Sequence, residues 1–312
     1  MKIECIEGHI KILQAVSADV HAVLPGSISG MPVEEIGDKA LKPGIEAEGG
    51  REVTMTCGIV SGEWDNRSIV SLRLPESILH IGDYAFADCR KLERLFISDR
   101  IESVGVRAFM NCRSFKNLFV NETHSQALCT ASEIVKELSS ELTVTAEHNN
   151  TAVLRLLFPE YYEEYTQKGP TQFFDYNIEG AGYPYHFVLG KKHAEIADYD
   201  ALWKDFNVTE SETETAALLA WYRIRLPYGL NEQAGKSYRD FLKDKTKVVY
   251  PAVLKENDLT GLRMLLEISG NPDEFSEYAL NLEKTRANTG FTAVLLESRR
   301  HSRPAGRRRY EL

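Results

Sequence analysis

Four side chains of the types that ligate metals lie within one short stretch, "HAEIADYD". They are His193, Glu195, Asp198 and Asp200. Imidazole and carboxylate groups can hold a divalent cation. Their order matches no site with a defined coordination geometry, however, and a solvated loop leading into the helix "DALWKDF" accounts for them equally well. We therefore predict no metal site and no cofactor.

A second group of residues that could bind a ligand is the aromatic cluster between residues 158 and 187. Gly180, Gly182 and Pro184 interrupt regular structure there. Tyrosine presents a flat face and a hydroxyl, so such a cluster can line a ligand pocket. The candidate pocket residues are Tyr176, Tyr183, Tyr185 and His186. The alternative, which we adopt, is that these rings pack two domains together.

No catalytic motif accompanies these residues. The sequence contains neither of the glycine-rich patterns that cradle phosphates, G-x-x-x-x-G-K-[ST] and G-x-G-x-x-G. The "GSISG" stretch, residues 26–30, has its serines at the wrong offsets for a nucleophile elbow, and no histidine lies in an H-E-x-x-H frame. The sequence predicts a protein that is not an enzyme.

The charge distribution argues against most nucleic-acid binding. The formal net charge is −9 at pH 7, which is the wrong sign for a chain that would neutralise phosphates. Residues 299–312 are the exception, with six Arg and one Glu. A basic tail could contact phosphate through Arg307, Arg308 and Arg309, but a frayed, solvated terminus is the simpler interpretation. We therefore expect no nucleic-acid partner other than through this tail.

The N-terminus and the cysteines bear on the cellular compartment of the protein. "MKIECIEGHIKILQAV" has no basic region followed by an apolar run, so it predicts a first strand rather than a signal peptide. No run of about 18 apolar residues predicts a membrane span. The five Cys are an odd number without a C-x-x-C pair. These features predict a reduced, cytoplasmic protein without a membrane association.

The clearest pattern in the chain is a repeat of 23 residues. Seven positions recur in register: Ile78, Ile81, Phe86, Cys89, Leu92, Leu95 and Ile97 match Ile101, Val104, Phe109, Cys112, Phe115, Leu118 and Val120. One step earlier, Ile69, Leu72 and Leu74 take the places of Leu92, Leu95 and Ile97. A fixed period of 20 to 29 residues is typical of a leucine-rich repeat solenoid.

Each unit of the repeat has the residues that one coil of a solenoid needs. The L-x-[LIV] end predicts a short strand with two inward side chains. The Ile-Gly-Asp step predicts a turn where a Cβ would be crowded. The Phe of Ala-Phe would fill the centre of the coil, covered by the coils on either side. Cys89 and Cys112 are predicted to be buried free thiols, since cysteine is a good small core residue.

Residues 74–97 resemble the BspA-like (treponeme-type) leucine-rich repeat family, whose pattern L-P-x-S-[VI]-x-x-I-G-x-x-A-F-x-x-C-x-x-L-x-x-[LI]-x-[IL] they match nearly throughout. The segment "LPGSISGMPVEEIGDKAL" is similar to the start of that family's domains. The resemblance covers roughly residues 10–120 and departs from the pattern at Leu41, where Phe is expected, and over residues 42–68. It implies a solenoid that binds other proteins. The family is largely bacterial and includes many surface adhesion proteins.

The repeat also predicts which side chains the sheet presents to solvent. The outward positions of successive strands are Arg73, Phe96 and Phe119, flanked by Arg94 and Asn117. Period-two alternation predicts polar residues on a solvated face, so stacked Phe and Arg side chains indicate a covered surface. Either a partner protein or the chain's own C-terminal half could cover it.

The chain is predicted to be helical from about Thr209 onward, with a separate earlier helix that ends at about Ser140. "TASEIVKEL" begins with a capping box at Thr130 and Glu133, and a second such box at Ser211 and Glu214 precedes "TAALLAWYRIRL". Asn231 caps a further helix. At about residues 246–298, "NDLTGLRMLLE" and "ANTGFTAVLLE" form a weaker repeat that loosely resembles ankyrin helix hairpins, although the T-P-L-H turn is absent.

The predicted fold class is α+β, with an N-terminal leucine-rich repeat solenoid of short parallel strands and an all-helical, repeat-like C-terminal domain. The predicted domains are residues 1–126 (solenoid), 127–208 (aromatic-rich connecting region), 209–298 (helical domain) and 299–312 (basic tail). The predicted function is a non-catalytic, intracellular protein–protein interaction scaffold. Two alternatives stay open: a small-molecule or metal-binding protein or enzyme that uses residues 158–200, and a bacterial cell-surface adhesion protein.

Overall fold

The computed structural model of the chain describes residues 1–54, 65–122, 126–168, 173–190, 194–282, 285 and 287–302. It forms two compact units, Met1–Lys204 and Asp205–Leu312. The predicted solenoid and nearly all of the predicted connecting region fall in the first unit, because strands beyond residue 126 continue the sheet of the repeats. Within the described ranges, no helix has the length and apolar character that crossing a membrane requires.

The first unit contains a β-solenoid of about five turns. Its strands are β1 (Lys2–Ile6), β2 (His9–Gln14), β3 (His21–Val23), β4 (Ser27–Ile28), β5 (Met31–Ile36), β6 (Arg51–Glu52), β7 (Ser71–Arg73), β8 (His80–Ile81), β9 (Arg94–Ser98), β10 (Ser103–Val104), β11 (Asn117–Asn121), β12 (Leu142–His148), β13 (Thr151–Phe158), β14 (Tyr162–Lys168) and β15 (Phe173–Glu179). A 3-10 helix, Asn66–Ser68, precedes β7.

Two sheets form the walls of the solenoid. The repeat sheet has the order β13-β12-β11-β9-β7-β3, and the opposite sheet has the order β10-β8-β5-β2-β1-β6, with β4 paired to β5. From β3 to β12 every neighbouring pair of the repeat sheet is parallel. From β7 to β11, successive strands of the chain alternate between the two sheets, so each pair of strands completes one coil. The predicted fold class, α+β with a solenoid of short parallel strands, is confirmed for this unit.

The register of the repeat sheet is the one that the 23-residue period predicts. Leu72 lies opposite Leu95, and Leu95 opposite Leu118. All three point into the core with at most 1% of their surface exposed. On the other side of the coil, the rings of Phe86 and Phe109 stack with their centroids 5.0 Å apart and their planes 14° apart. One column of rings therefore runs through adjacent coils.

Aspartate side chains connect the turns of successive coils. The Asp38 carboxylate accepts a hydrogen bond from the backbone N–H of Asp83 (2.9 Å), and the Asp83 carboxylate accepts one from the backbone N–H of Val106 (2.8 Å). Val106 occupies the position of the aspartate in the following unit, where the N–H of Arg107 is bound instead by the carboxylate of Glu137. The Asp of Ile-Gly-Asp thus satisfies a backbone donor of the next coil.

We expect Asp83→Ala to lower the free energy of unfolding by about 1 kcal/mol, the usual loss when a side-chain cap of a backbone N–H is removed. Val106→Ala is the matched control, because Val106 holds the equivalent position and caps nothing, so its truncation should change stability by less than about 0.5 kcal/mol. Urea denaturation followed by far-UV circular dichroism measures both. Equal stabilities of the two variants would contradict the proposed connection.

The repeated cysteines also bond from coil to coil. The thiol of Cys89 donates to the carbonyl oxygen of Leu41 (3.4 Å), and the thiol of Cys112 donates to that of Phe86 (3.1 Å). Leu41 and Phe86 occupy equivalent positions in successive coils. Burial raises the pKa of the Cys112 thiol to about 12, and it raises the pKa of Cys89 further. Both are free, protonated donors, which explains why the repeat keeps cysteine here.

The sheet extends beyond the last residue that the repeat predicts. The helix α1 (Ala127–Val135) follows β11, and β12 then pairs in parallel with β11. The capping-box prediction was wrong: α1 begins before Thr130, whose hydroxyl donates to the carbonyl oxygen of Asp99 (3.1 Å). The antiparallel strand β13 ends the sheet. The repeat pattern stops at residue 121, although the coil geometry continues.

The remaining elements of the first unit come from the aromatic-rich part of the chain. β14 and β15 form an antiparallel hairpin of their own, which is not part of the two solenoid sheets. Two short helices follow, α2 (Tyr183–Val188) and α3 (Ile196–Ala201), and α1 packs against α2.

The helical unit confirms the predicted C-terminal architecture. Its helices are α4 (Trp203–Glu210), which begins in the first unit, α5 (Glu214–Arg225), α6 (Glu232–Leu242), α7 (Thr246–Lys255), α8 (Leu259–Ile268), α9 (Pro272–Asn281) and α10 (Thr289–Ser302). Asn231 caps α6 as predicted, by accepting a hydrogen bond from the N–H of Ala234 (2.8 Å). The cap of α5 is Thr213 rather than Ser211.

The ion pair between Arg225 and Asp258 joins two helices of this unit. Arg225, at the end of α5, donates two hydrogen bonds to the carboxylate of Asp258, at 2.6 and 2.9 Å. The same carboxylate caps α8 by accepting the N–H of Gly261 (2.9 Å). Hydrogen bonds from Arg225 to Asp258 raise the pKa of the guanidinium further above its usual range. This fork-to-fork geometry orients α5 against α8.

Candidate functional site

The outer face of the repeat sheet carries the predicted binding residues in ordered rows. Strand register places Arg73 opposite Phe96, and Phe96 opposite Phe119, in a row that crosses β7, β9 and β11. A parallel row, two residues earlier on each strand, places Arg94 opposite Asn117. All five predicted residues therefore lie on one surface, because residues two apart on a strand point to the same side.

The side chains of Arg73, Phe96 and Phe119 form one stack, which we call the face ladder. The rings of Phe96 and Phe119 lie with their centroids 4.6 Å apart and their planes 10° apart. The guanidinium carbon of Arg73 lies 4.2 Å from the centroid of the Phe96 ring. Arg73 is exposed and both rings are half-buried. Cation–π attraction and ring stacking hold the ladder in place before any partner arrives.

The row beside the face ladder is polar. Arg94 and Asn117 are half-buried, and the buried Nε of Arg94 finds no hydrogen-bond acceptor in the described part of the chain. Next to them, the imidazole of His21 is hydrogen-bonded to the hydroxyl of Ser71 (3.0 Å). This row crosses the amino ends of the strands and has a basic character.

The opposite end of the same face is acidic and concave. A cavity of about 170 Å³ lies where the strands end, and Arg73, Phe96, Glu76 and Glu147 are among its lining residues. The carboxylate of Glu76 accepts a hydrogen bond from the side-chain amide of Asn121 (2.8 Å). The acidic side chains of this face therefore lie at the carboxyl ends of the strands, in the same cavity as Arg73, whereas Arg94 lies at the amino end of β9.

Two further members of the ladder row were not predicted from the sequence. Val23 of β3 lies opposite Arg73, and Thr145 of β12 lies opposite Phe119. Val23 is 68% exposed and extends the apolar surface. Neither strand fits the 23-residue period. A signal for Val23 was nevertheless present, because "AVLPG" repeats the alternation and the Leu-Pro step of "LRLPE".

The candidate pocket residues do not share one environment. Tyr176 lies in β15 and is 48% exposed. Tyr183 is half-buried, with its ring 5.2 Å from that of Tyr161. Tyr185 and His186 are buried in the core, where the Tyr185 ring packs edge-on against Tyr199 at 4.9 Å. The aromatic residues from α2 and α3 thus form part of the core of the first unit.

His186 joins three segments of that core. Its Nδ1 lies 3.0 Å from the carbonyl oxygen of Val135, and its Nε2 lies 2.8 Å from that of Pro159. Burial lowers the pKa of the imidazole, and the two carbonyl oxygens only partly oppose this effect. Because a neutral imidazole carries one N–H, it donates to only one of these oxygens at a time. The enclosed ring packs where α1, the end of β13 and α2 meet.

The four residues of metal-ligating type have separate surroundings. His193 lies outside the described residues. Glu195 and Asp198 are exposed, whereas Asp200 is buried in α3. Burial, and secondarily the charge of Asp200, raises the pKa of Tyr185. Over the described part of the chain, no three His, Cys, Asp or Glu side chains converge as metal ligands. The predicted tail contacts, Arg307, Arg308 and Arg309, are also outside the described residues.

Comparison with known proteins identifies the repeats. Residues 59–134 match the family model described as BspA type leucine rich repeat region, in six copies. This stretch is therefore a BspA-type leucine-rich repeat region. The match confirms the predicted resemblance over residues 59–120 and extends it to residue 134. Neither the curated proteins nor the solved structures contained a match.

Proposed function

We propose that this chain is a cytoplasmic, non-catalytic interaction module that captures a partner protein on the outer face of its repeat sheet. The leucine-rich repeat family indicates a protein-interaction repeat module. The observation that carries the proposal is the face ladder, a pre-stacked row of one arginine and two phenylalanines on the solvent side of the sheet. Rigid aromatic and arginine side chains are the usual anchors of protein interfaces.

The physical argument is that the ladder costs little to immobilise on binding. A free side chain that becomes fixed in an interface loses conformational entropy. Here Phe96 and Phe119 are already held by each other, and Arg73 is held against Phe96. Binding of a partner over the ladder is therefore favoured by the burial of apolar area, while the accompanying loss of side-chain entropy is small.

The test compares two variants as baits in affinity purification from the native cell, followed by mass spectrometry. Phe96→Ser combined with Phe119→Ser removes both rings of the face ladder and should lose the partners that the unchanged chain captures. Val106→Ser is the matched control, since it replaces an apolar side chain that is 61% exposed on a turn outside the sheet face. Equal capture by both variants would show that the repeat sheet is not the binding surface.

A further inference from the structure

Two arginines on the outer face of the repeat sheet have no acidic partner among the residues that the structure describes. Within the described residues, the guanidinium groups of Arg73 and Arg94 form neither an ion pair nor a hydrogen bond, and the Nε of Arg94 is buried without an acceptor. The chain holds 46 Asp and Glu against 37 Lys and Arg. Two arginines on neighbouring strands without a counter-charge among the described residues are therefore unexpected in a chain with an excess of carboxylates.

These arginines determine what an incoming partner must supply. A partner that covers the face removes water from both guanidinium groups, and a desolvated charge is costly unless a counter-charge replaces the water. A carboxylate suits the planar guanidinium, because it can accept two parallel hydrogen bonds. The neighbouring edges of Phe96 and Phe119 present only C–H groups, so they require an apolar side chain.

Two glutamates beside Arg73 limit how many carboxylates the partner can carry. Glu76, Glu147 and Arg73 line the same cavity at the carboxyl ends of the strands, so a second or third acidic residue of the partner would meet the two glutamates. Like charges brought together in an interface disfavour binding. The face therefore selects against a polyacidic run.

We propose that the outer face of the repeat sheet binds a short extended segment of a partner protein in which one Asp or Glu contacts Arg73 and Arg94, and an adjacent apolar side chain packs on Phe96 and Phe119. This inference rests on the proposed function, since it names the chemistry of the partner at the same surface. The recognised element is an acidic–apolar pair of residues.

The experiment is a selection of linear peptides from a random display library against the full-length chain. We expect the enriched peptides to carry one acidic residue beside an aliphatic or aromatic one, and their binding to disappear with Phe96→Ser and Phe119→Ser. Selected peptides that depend on these two phenylalanines but show no acidic preference would overturn the carboxylate inference and leave the proposed function intact. Failure to select any peptide that depends on them would count against both.

A synthetic peptide from the selection then tests the arginine contact. Arg73→Gln combined with Arg94→Gln should weaken its binding by about tenfold or more, as loss of charge-assisted hydrogen bonds does. The same peptide with Gln in place of its acidic residue should bind weakly and respond little to the arginine substitutions. Arg90→Gln combined with Arg113→Gln is the control. These arginines follow Cys89 and Cys112 at equivalent positions, so their substitution removes the same amount of charge from a part of the protein away from the sheet face.

Two further outcomes would overturn the inference. One is an equal loss of affinity in the Arg90 and Arg113 control, which would show that the loss on substitution of Arg73 and Arg94 comes from the change in net charge alone. The other is self-association of the unchanged chain in analytical ultracentrifugation that the Arg73 and Arg94 substitutions abolish, because the occupant would then be a second copy of the chain. Thermal unfolding of each variant verifies that its fold is intact.

Discussion

Phe109→Ala should destabilise the first unit by about 3–5 kcal/mol, the range measured when a buried phenylalanine is truncated to alanine. The Phe109 side chain is only 2% exposed. Its ring lies 5.0 Å from that of Phe86 in the preceding coil and 5.3 Å from that of Phe115 in its own. The substitution would leave a cavity lined by rings from two coils, which cannot collapse without moving the strands on both sides.

The measurement is chemical denaturation of the full chain, with hydrogen exchange read by mass spectrometry to locate the effect. Lost protection should be concentrated in residues 69–121, where coils share the ring column. Phe109→Leu is the control, because it keeps most of the volume and should cost distinctly less. A Phe109→Ala variant that unfolded at the denaturant concentration of the unchanged chain would show that the column does not hold the coils together.

The solenoid could be predicted from the sequence because its geometry repeats at a fixed interval. Adjacent coils place equivalent residues side by side. A constant spacing of 23 residues therefore predicts which residues of neighbouring strands lie opposite one another. Leu72, Leu95 and Leu118 line up for this reason, and so do Phe96 and Phe119 on the other face. One pattern therefore determined both the core and the candidate interface.

The coil that follows could not be predicted, because its geometry is kept by different residues. Leu118 lies opposite Val144, a spacing that breaks the period, and the intervening chain forms α1 instead of the Ala-Phe turn. The residues Thr130 and Glu133 carry the letters of a capping box. Thr130 instead bonds to Asp99, a contact that forms only when the coils are stacked. The tertiary contact between Thr130 and Asp99 therefore overrides the local capping-box pattern.

The aromatic cluster shows a different limit. Residue type alone does not distinguish Tyr176, which is exposed, from Tyr185, which is buried. The difference comes from α2, which brings Tyr185 and His186 against the core of the first unit. The carbonyl oxygens that His186 contacts belong to Val135 and Pro159, distant in sequence. Every residue has a backbone carbonyl oxygen, so the residue types of Val135 and Pro159 do not indicate that a histidine contacts them.

Gly105→Ala should be the second strongly destabilising change, with a loss of about 1–3 kcal/mol or more, the usual cost of forcing atoms into a packed site. A Cβ at this position would lie 2.4 Å from both the backbone nitrogen of Asp83 and the carbonyl carbon of Gly82. These are backbone atoms of the preceding coil, so no side chain can rotate away. Gly105 is not among the residues with positive φ, so the requirement for glycine comes from the close approach of two coils and not from the local conformation.

Gly26→Ala is the control for this change, because a Cβ there would lie 3.5 Å from Pro75 Cβ, an ordinary contact, and Gly26 also lacks a positive φ. We expect this control to change stability by less than about 1 kcal/mol, since an alanine that fits mainly restricts the unfolded chain. Urea denaturation of both variants, with the chain unchanged elsewhere, gives the comparison. If Gly105→Ala were as stable as Gly26→Ala, the coils would have room to separate at the Ile-Gly-Asp turn, and the aspartate bonds from coil to coil would have to lengthen with them. A marked loss for Gly105→Ala alone would show that backbone contact at this turn sets the spacing of the coils, and with it the spacing of the rings in the face ladder.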